Sequence, residues 1–343
     1  MILEKKKFMT KIKEKVRDDF CDLAKGIAAL DVIVIHTTFW SGEFYAPEWL
    51  RNLTLIAEVP FLIFLSGYSS NYVKSIQKQW RSLLLLYLKW CLFIPLFWLC
   101  SILLGEAMTP AHFKNFLFLT GDNTALPVVM GSTWFWPVYF LVVFLGICVV
   151  KKIPKSHLDK ITFILAVFYA LCVVFNLNKQ VIKVVFYLLM YLIGNIAFSL
   201  DVKRWKKVLL ATLLVCVCIS IPSILAAEPS GLVVPMATAK SPPVFWYAAY
   251  SLIAPCFMML LKSKNLKQPL LSWIGKNCFL FYLAQGISSS FLYFLLPYLG
   301  NMPVSLKFFI CVVVNVLLAF VIVKLLLCYY TLLFGVRKHF SKK

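Results

Sequence analysis

Acidic side chains are scarce in this chain: 343 residues carry 14 Asp and Glu against 35 Lys and Arg, and charged residues of all kinds make up 14%. With 62% of residues hydrophobic and 16% aromatic, so thin a polar complement excludes a soluble domain and leaves a polytopic membrane protein. Histidine is rarer still, at four. Cysteine is not rare, at eleven, but no C-x-x-C pair occurs, and Cys91, Cys100, Cys148, Cys216, Cys218 and Cys311 lie inside apolar runs. A disulfide framework and a zinc site are thereby unsupported, no metal is expected, and the cysteines read as small buried hydrophobes. The formal charge of +21 has no polar domain in which a basic face could alternate with stacking aromatics, so no nucleic-acid partner is expected. A small-residue cleavage site is missing after the basic N-terminus, which argues against a signal peptide. Also missing are an internal repeat and a pair of Gly/Pro-broken spans in matching positions, the marks of an inverted-repeat carrier.

What is present is a series of apolar runs, each able to cross about 30 Å of hydrocarbon. Ten spans are predicted, at 24–40, 53–72, 82–104, 133–150, 161–177, 180–200, 207–227, 243–262, 277–298 and 306–334. Basic residues crowd the even-numbered connectors ("VKSIQKQWR", "KKIPKSHLDK", "DVKRWKK", "KSKNLKQP") and the tail "VRKHFSKK". The odd-numbered ones hold only Arg51, Lys114, Lys179 and Lys240. The asymmetry places both termini in the cytoplasm. The expected fold class is all-α, a polytopic membrane helical bundle. Residues 1–23 form a cytoplasmic amphipathic segment whose Phe8, Ile12, Val16 and Phe20 recur every four residues. Residues 24–334 form the membrane domain and 335–343 a basic cytoplasmic tail, with no second catalytic domain expected. Two outer loops, 105–132 and 228–242, are long enough to cover a site.

Ionisable groups inside spans are costly and invite a functional reading. The stretch "KGIAALDVIVIH" holds three: Lys25, Asp31 and His36. Eleven residues make about three helical turns, so Lys25 and His36 share a face about 16 Å apart along the axis, while Asp31 points about 140° away from His36. His36 is the only histidine within a predicted span, near its outer end, and imidazole can serve as a general base or as a nucleophile. Lys25, at the inner end, either snorkels to the headgroups or holds phosphates of a ligand whose arm rises towards His36. Glu58 lies at about the depth of His36 and either orients the imidazole or faces the outer water. Asp31 and Lys89 lie at similar depth in spans 1 and 3, which predicts a buried ion pair. Ser66, Gly67 and Tyr68 read first as a site of close helix packing. Trp134 and Trp136 read as members of an outer aromatic belt.

Four segments, in order, resemble the acyltransferase-3 family of integral membrane acyltransferases: "DLAKGIAALDVIVIH", "VPFLIFLSGYSS", "STWFWPVYFLVVFL" and "SWIGKNCFLFYLAQ". Lys25 stands where the family usually has Arg, and Gln285 where many members have His. No second basic residue is obvious early in span 3; Lys78 and Arg81 are nearest. The resemblance implies an O-acetyltransferase without a bound cofactor, which takes acetyl or another acyl group from cytoplasmic acetyl-CoA. It implies an acceptor hydroxyl on a glycan: exopolysaccharide, capsule or a lipid-linked sugar. It implies His36 as a catalytic residue and Lys25, Lys78 and Arg81 at the donor; Glu58 joins His36 as a catalytic candidate on the strength of their common depth. Asp31, Lys89, Ser66, Tyr68, Trp134 and Trp136 would serve the acceptor side or the structure. The expected location is multi-pass in a cell membrane, taken as the bacterial cytoplasmic one, with the lipid bilayer as a partner. The alternative is a small carrier or glycan flippase without acyl-transfer chemistry.

Overall fold

The computed structural model describes residues 18–39, 45–73, 75–103, 109–118, 134–231, 233–264 and 266–335. A bilayer offers the backbone no hydrogen bonds, so apolar runs of this length must satisfy their own amides as helices. The described residues accordingly contain only helices, turns and two isolated bridges. In chain order the α-helices are α1 (Asp19–Phe39), α2 (Glu48–Thr54), α3 (Val59–Ser70), α4 (Ile76–Leu103), α5 (Pro110–Phe118), α6 (Phe135–Lys152), α7 (Lys155–Val174) and α8 (Lys179–Ala197). There follow α9 (Val202–Leu225), α10 (Met236–Ala239), α11 (Phe245–Ser251), α12 (Ile253–Leu261), α13 (Pro269–Lys276), α14 (Cys278–Leu299) and α15 (Val304–Gly335). Among the described residues nine stretches are long and apolar enough to span a membrane: α2 with α3, α4, α6, α7, α8, α9, α11 with α12, α14 and α15. The tenth predicted span is α1, whose 21 residues include Asp19, Asp22, Lys25 and Asp31. Its charges set it apart from the other nine.

Local signals explain several ends. Pro60 and Pro269 occupy first-turn positions in α3 and α13, where the missing N–H costs nothing. Asn178 and Asp201 cap α8 and α9 by accepting from the amides of Gln180 and Lys203. The predicted second and fifth spans begin too late. Helix starts at Glu48 and Lys155, because charged flanking turns stay helical beyond the hydrocarbon. Of the amphipathic segment 1–23, residues 1–17 lie outside the described residues, as do 336–343 of the tail; residues 19–23 open α1.

α1 sits at the centre, packed against α2, α3, α13, α14 and α15. Glycine lets two of these crossings approach to backbone contact. A Cβ on Gly26 would strike the Leu271 carbonyl of α13, and one on Gly275 the Asp22 carbonyl of α1. The same reciprocity joins α3 to α8, with Gly67 against the Tyr191 carbonyl and Gly194 against that of Phe64. The flanks of α7, α9 and α15 instead show Phe163, Ile164, Leu214, Phe309 and Leu325 outward, the apolar coat that lipid covers.

One span is broken. Between α2 and α3 the chain makes a 3₁₀ turn at Leu55–Ala57 and then an extended residue, Glu58. Freed backbone groups in a membrane need partners, and Asp31 supplies one: its carboxylate accepts from the Ala57 amide at 3.1 Å. The predicted Asp31–Lys89 pair is therefore not formed. Lys89 lies over the Tyr330 ring of α15 at 5.8 Å, and the Tyr330 hydroxyl donates to the Lys89 carbonyl at 2.6 Å. Depth brought the two residues level, but their helix faces point them to different neighbours.

Candidate functional site

The break in the second span turns Glu58 into a cavity of about 420 Å³ at the end of the bundle away from the basic connectors. α1 lends Val32, Ile35, His36 and Phe39 to its wall, and α8 lends Lys183. Trp134 contributes just before α6, Tyr282 from α14, and Ala237, Lys240 and Ser241 from the loop between α9 and α11. This loop matches the predicted outer loop 228–242, and it does cover the site. The other long loop, 105–132, lies largely outside the described residues; α5 falls within it. Asn52 anchors the covering loop. Its amide donates to the carbonyls of Ser223, Ile224 and Ala226 and accepts from the Ala237 amide.

His36 is 8% exposed, and its Nδ1 is buried without a hydrogen-bond partner. Nε2 is the ring nitrogen left open to the cavity. Glu58, 4% exposed, forms an ion pair with Lys240 and accepts from the Tyr247 hydroxyl at 2.7 Å. His36 and Glu58 thus share a cavity, as their common depth predicts, but the carboxylate is held by Lys240 and Tyr247 rather than by the imidazole. The ammonium groups of Lys183 and Lys240 lie 5.4 and 5.6 Å from the centre of the Trp134 ring.

A second cavity, of about 250 Å³, opens at the inner end. Lys25 points into it and donates to Ser69 Oγ at 3.1 Å, so its ammonium does not snorkel away. Ser66, Ser70, Gln79, Ser82, Tyr139 and Tyr191 line the same space, and Gln79 Oε1 is buried there without a partner. Between the two lies a neck of about 140 Å³. Lys25, Ser66 and Tyr139 belong to both neck and inner cavity, and Tyr282 to both neck and outer cavity. Each helix meets the three spaces in the order of its own residues. On α1 the sequence is Lys25, then His36; on the second span it is Glu58, Leu62, Ser66, Ser69. One interrupted passage therefore runs along the face of α1 that Lys25 and His36 share.

Other predicted residues fall elsewhere. Lys78 and Arg81 are exposed at the start of α4 and do not line the inner cavity; their neighbours Gln79 and Ser82 do. Trp136 is not in an interfacial belt. It is 4% exposed and walls the neck, with its ring 5.1 Å from Tyr282 and 5.2 Å from Phe279. Trp134 faces the outer cavity. Tyr68 is fully buried outside all three spaces, with its hydroxyl 3.4 Å from Asp18 and Lys262 over its ring. Sequence reasoning missed Lys240, Lys183, Tyr247 and Tyr282. Lys240 was visible only as one of few basic residues in an outer loop.

In the comparisons, a family model described as an acyltransferase domain matches residues 18–324. No curated protein and no solved structure matches the chain.

Proposed function

The chain belongs to this acyltransferase-3 family, a membrane acyltransferase by that membership, and we propose on that footing that it moves an acyl group along the passage beside α1. The donor is an acyl-CoA, with acetyl-CoA the simplest case, and the acceptor is a hydroxyl of a surface or lipid-linked glycan. The observation that carries this reading is the alignment of Lys25, neck and His36 on one helix face. Lys25, at the inner cavity, supplies a cation for the donor's phosphates. The pantetheine arm threads the neck between Trp136, Tyr139 and Tyr282, whose rings exclude water from the thioester. The two ends are about 16 Å apart.

At the outer end the acceptor hydroxyl gives its proton to His36 Nε2 as its oxygen attacks the thioester carbon. The C–O bond forms, the C–S bond breaks, and the departing thiolate recovers the proton. In a two-step variant Nε2 attacks first and expels the CoA thiolate; the hydroxyl oxygen then takes the acyl group as the C–N bond breaks, and its proton goes to that thiolate. Lys25 and His36 carry these roles here; Glu58, fixed by Lys240 and Tyr247, holds the covering loop and its ammonium beside the reacting groups. Lys78 and Arg81 remain at the inner rim, where an incoming polyanion meets them first. With the basic connectors inside, the donor enters from the cytoplasm and the acceptor from the far side of a cell membrane.

Full-length protein in nanodiscs, incubated with labelled acetyl-CoA and an envelope glycan extract as acceptor, should release free thiol and label the glycan, and His36→Ala should do neither. A carrier or flippase would leave the thioester intact, and that result would overturn the reading.

A further inference from the structure

Among the described residues, charge in the outer cavity does not balance. Its wall holds two ammonium groups, Lys183 and Lys240, and one carboxylate, Glu58. Glu58 is already engaged by Lys240 and Tyr247. Among the described residues the nearby acids are placed elsewhere: Asp31 on the Ala57 amide, Glu48 on Arg51, and Glu228 exposed on the covering loop outside the cavity wall. Among the described residues the Lys183 ammonium lies over the face of Trp134, faces the like charges of Lys240 and Lys179, and has no carboxylate partner. A cation–π contact offsets part of the cost of drawing an ammonium from water, but it leaves the charge uncompensated.

The bland account of Lys183 is an anchor that reaches the headgroups. Its geometry points the other way. Lys179, one turn earlier on α8, is exposed and fills the anchoring place. Lys183 is only half-exposed and turns inward, to the indole that walls the cavity. Lys240 converges on the same indole from the covering loop. Two like charges on one ring repel each other, and an anion placed between them removes that repulsion.

We propose that the outer cavity selects an acceptor bearing an anionic group, a carboxylate or a phosphate, held by Lys183 and Lys240 beside the hydroxyl that is acylated. This deepens the proposed reaction and rests on it for the hydroxyl, though not for the charge. A volume of about 420 Å³ lies low in the range of small-ligand sites, so the cavity takes the acceptor's charged terminal unit rather than a length of polymer.

The test uses full-length protein in phosphatidylcholine nanodiscs and isothermal titration with methyl glucuronide, glucose 1-phosphate and methyl glucoside. Wild type should bind at least one anionic probe about tenfold more tightly than the neutral glucoside, a difference worth about 1.4 kcal/mol. The tighter of the two anions identifies carboxylate or phosphate as the group. Lys183→Gln should erase most of that preference, whereas Lys179→Gln, the same charge change on the exposed turn, should keep it. Equal affinity for all three probes, no saturable binding at millimolar concentration, or equal losses in the two lysine variants would each overturn the proposal. Thioester cleavage is read separately on the wild-type sample. Cleavage without an anion preference refutes the charged site alone; a preference without cleavage refutes the reaction alone.

Discussion

The two cavities at either end of the passage are built from different materials. Among the described residues the inner one has a single ammonium, that of Lys25, among hydroxyls, and those hydroxyls are tied locally: Ser66, Ser69 and Ser70 donate to carbonyls three or four residues back on their own helix. The outer one is assembled from distant parts. Lys240 and Glu58 are 182 residues apart in sequence, and Tyr247 and Glu58 are 189 apart. A wall of one cation among tied hydroxyls suits a ligand that brings the opposite charge and must leave after every turnover. A wall of fixed charges suits a step in which charge develops, since groups already oriented need no reorganisation when it does. The difference predicts that outer-cavity changes strike rate and stability, while inner-cavity changes strike donor affinity.

The largest effect should come from His36→Ala, with acyl transfer falling by at least about a hundredfold, as expected for loss of a positioned base. The variant should still extract as a monodisperse species, and wild-type turnover in it would remove the distinction between the two ends. Next is the ion pair. Glu58→Gln leaves Lys240 without its carboxylate and should destabilise the protein by about 2–3 kcal/mol, below the fully buried range because Lys240 is partly exposed. Adding Lys240→Met should recover part of that loss in thermal unfolding. Strictly additive losses would mean the pair does not hold the loop.

Lys25→Ala should raise the KM for acyl-CoA about tenfold with little change in kcat, since it removes a contact present before and during the reaction. Lys25→Arg should be tolerated because the charge is kept. A fall in kcat alone would move Lys25 from binding to chemistry and blur the two cavities. The smallest effect is assigned to Asp31→Asn. An amide oxygen can still accept from Ala57, so the loss should stay under about 1 kcal/mol, whereas Asp31→Leu should cost about 1–3 kcal/mol by stranding that amide. Lys89→Met should rescue neither.

The α-helical class, the span positions and the Lys25–His36 face were legible because each is a short-range pattern. Hydropathy runs and a spacing of eleven residues need no knowledge of neighbours. Asp31 marks where legibility ends: its buried charge was visible, but its partner is a backbone amide exposed by a break in another span, and no residue type announces that. Lys183 and Lys240 were missed for a related reason. A lysine near a span end reads as an anchor, and only the placement of Trp134 shows that both turn inward. Trp136 erred in the opposite direction, because an aromatic at a span end looks interfacial until α14 is packed against it.

The close contact of Gly26 and Gly275 with each other's helices also bears on how the molecule is made. Those glycines are separated by about 250 residues, and at ordinary elongation rates of about 5–20 residues per second the second is synthesised on the order of ten to fifty seconds after the first. During that interval α1, with Asp22, Lys25 and Asp31, lacks α13, α14 and α15 to shield it. Among the described helices it is the one whose charges suit unaided insertion least. The wait for its packing partners is thus a stage at which yield can be lost. Substitutions that make α1 more apolar should raise expression even where they abolish turnover.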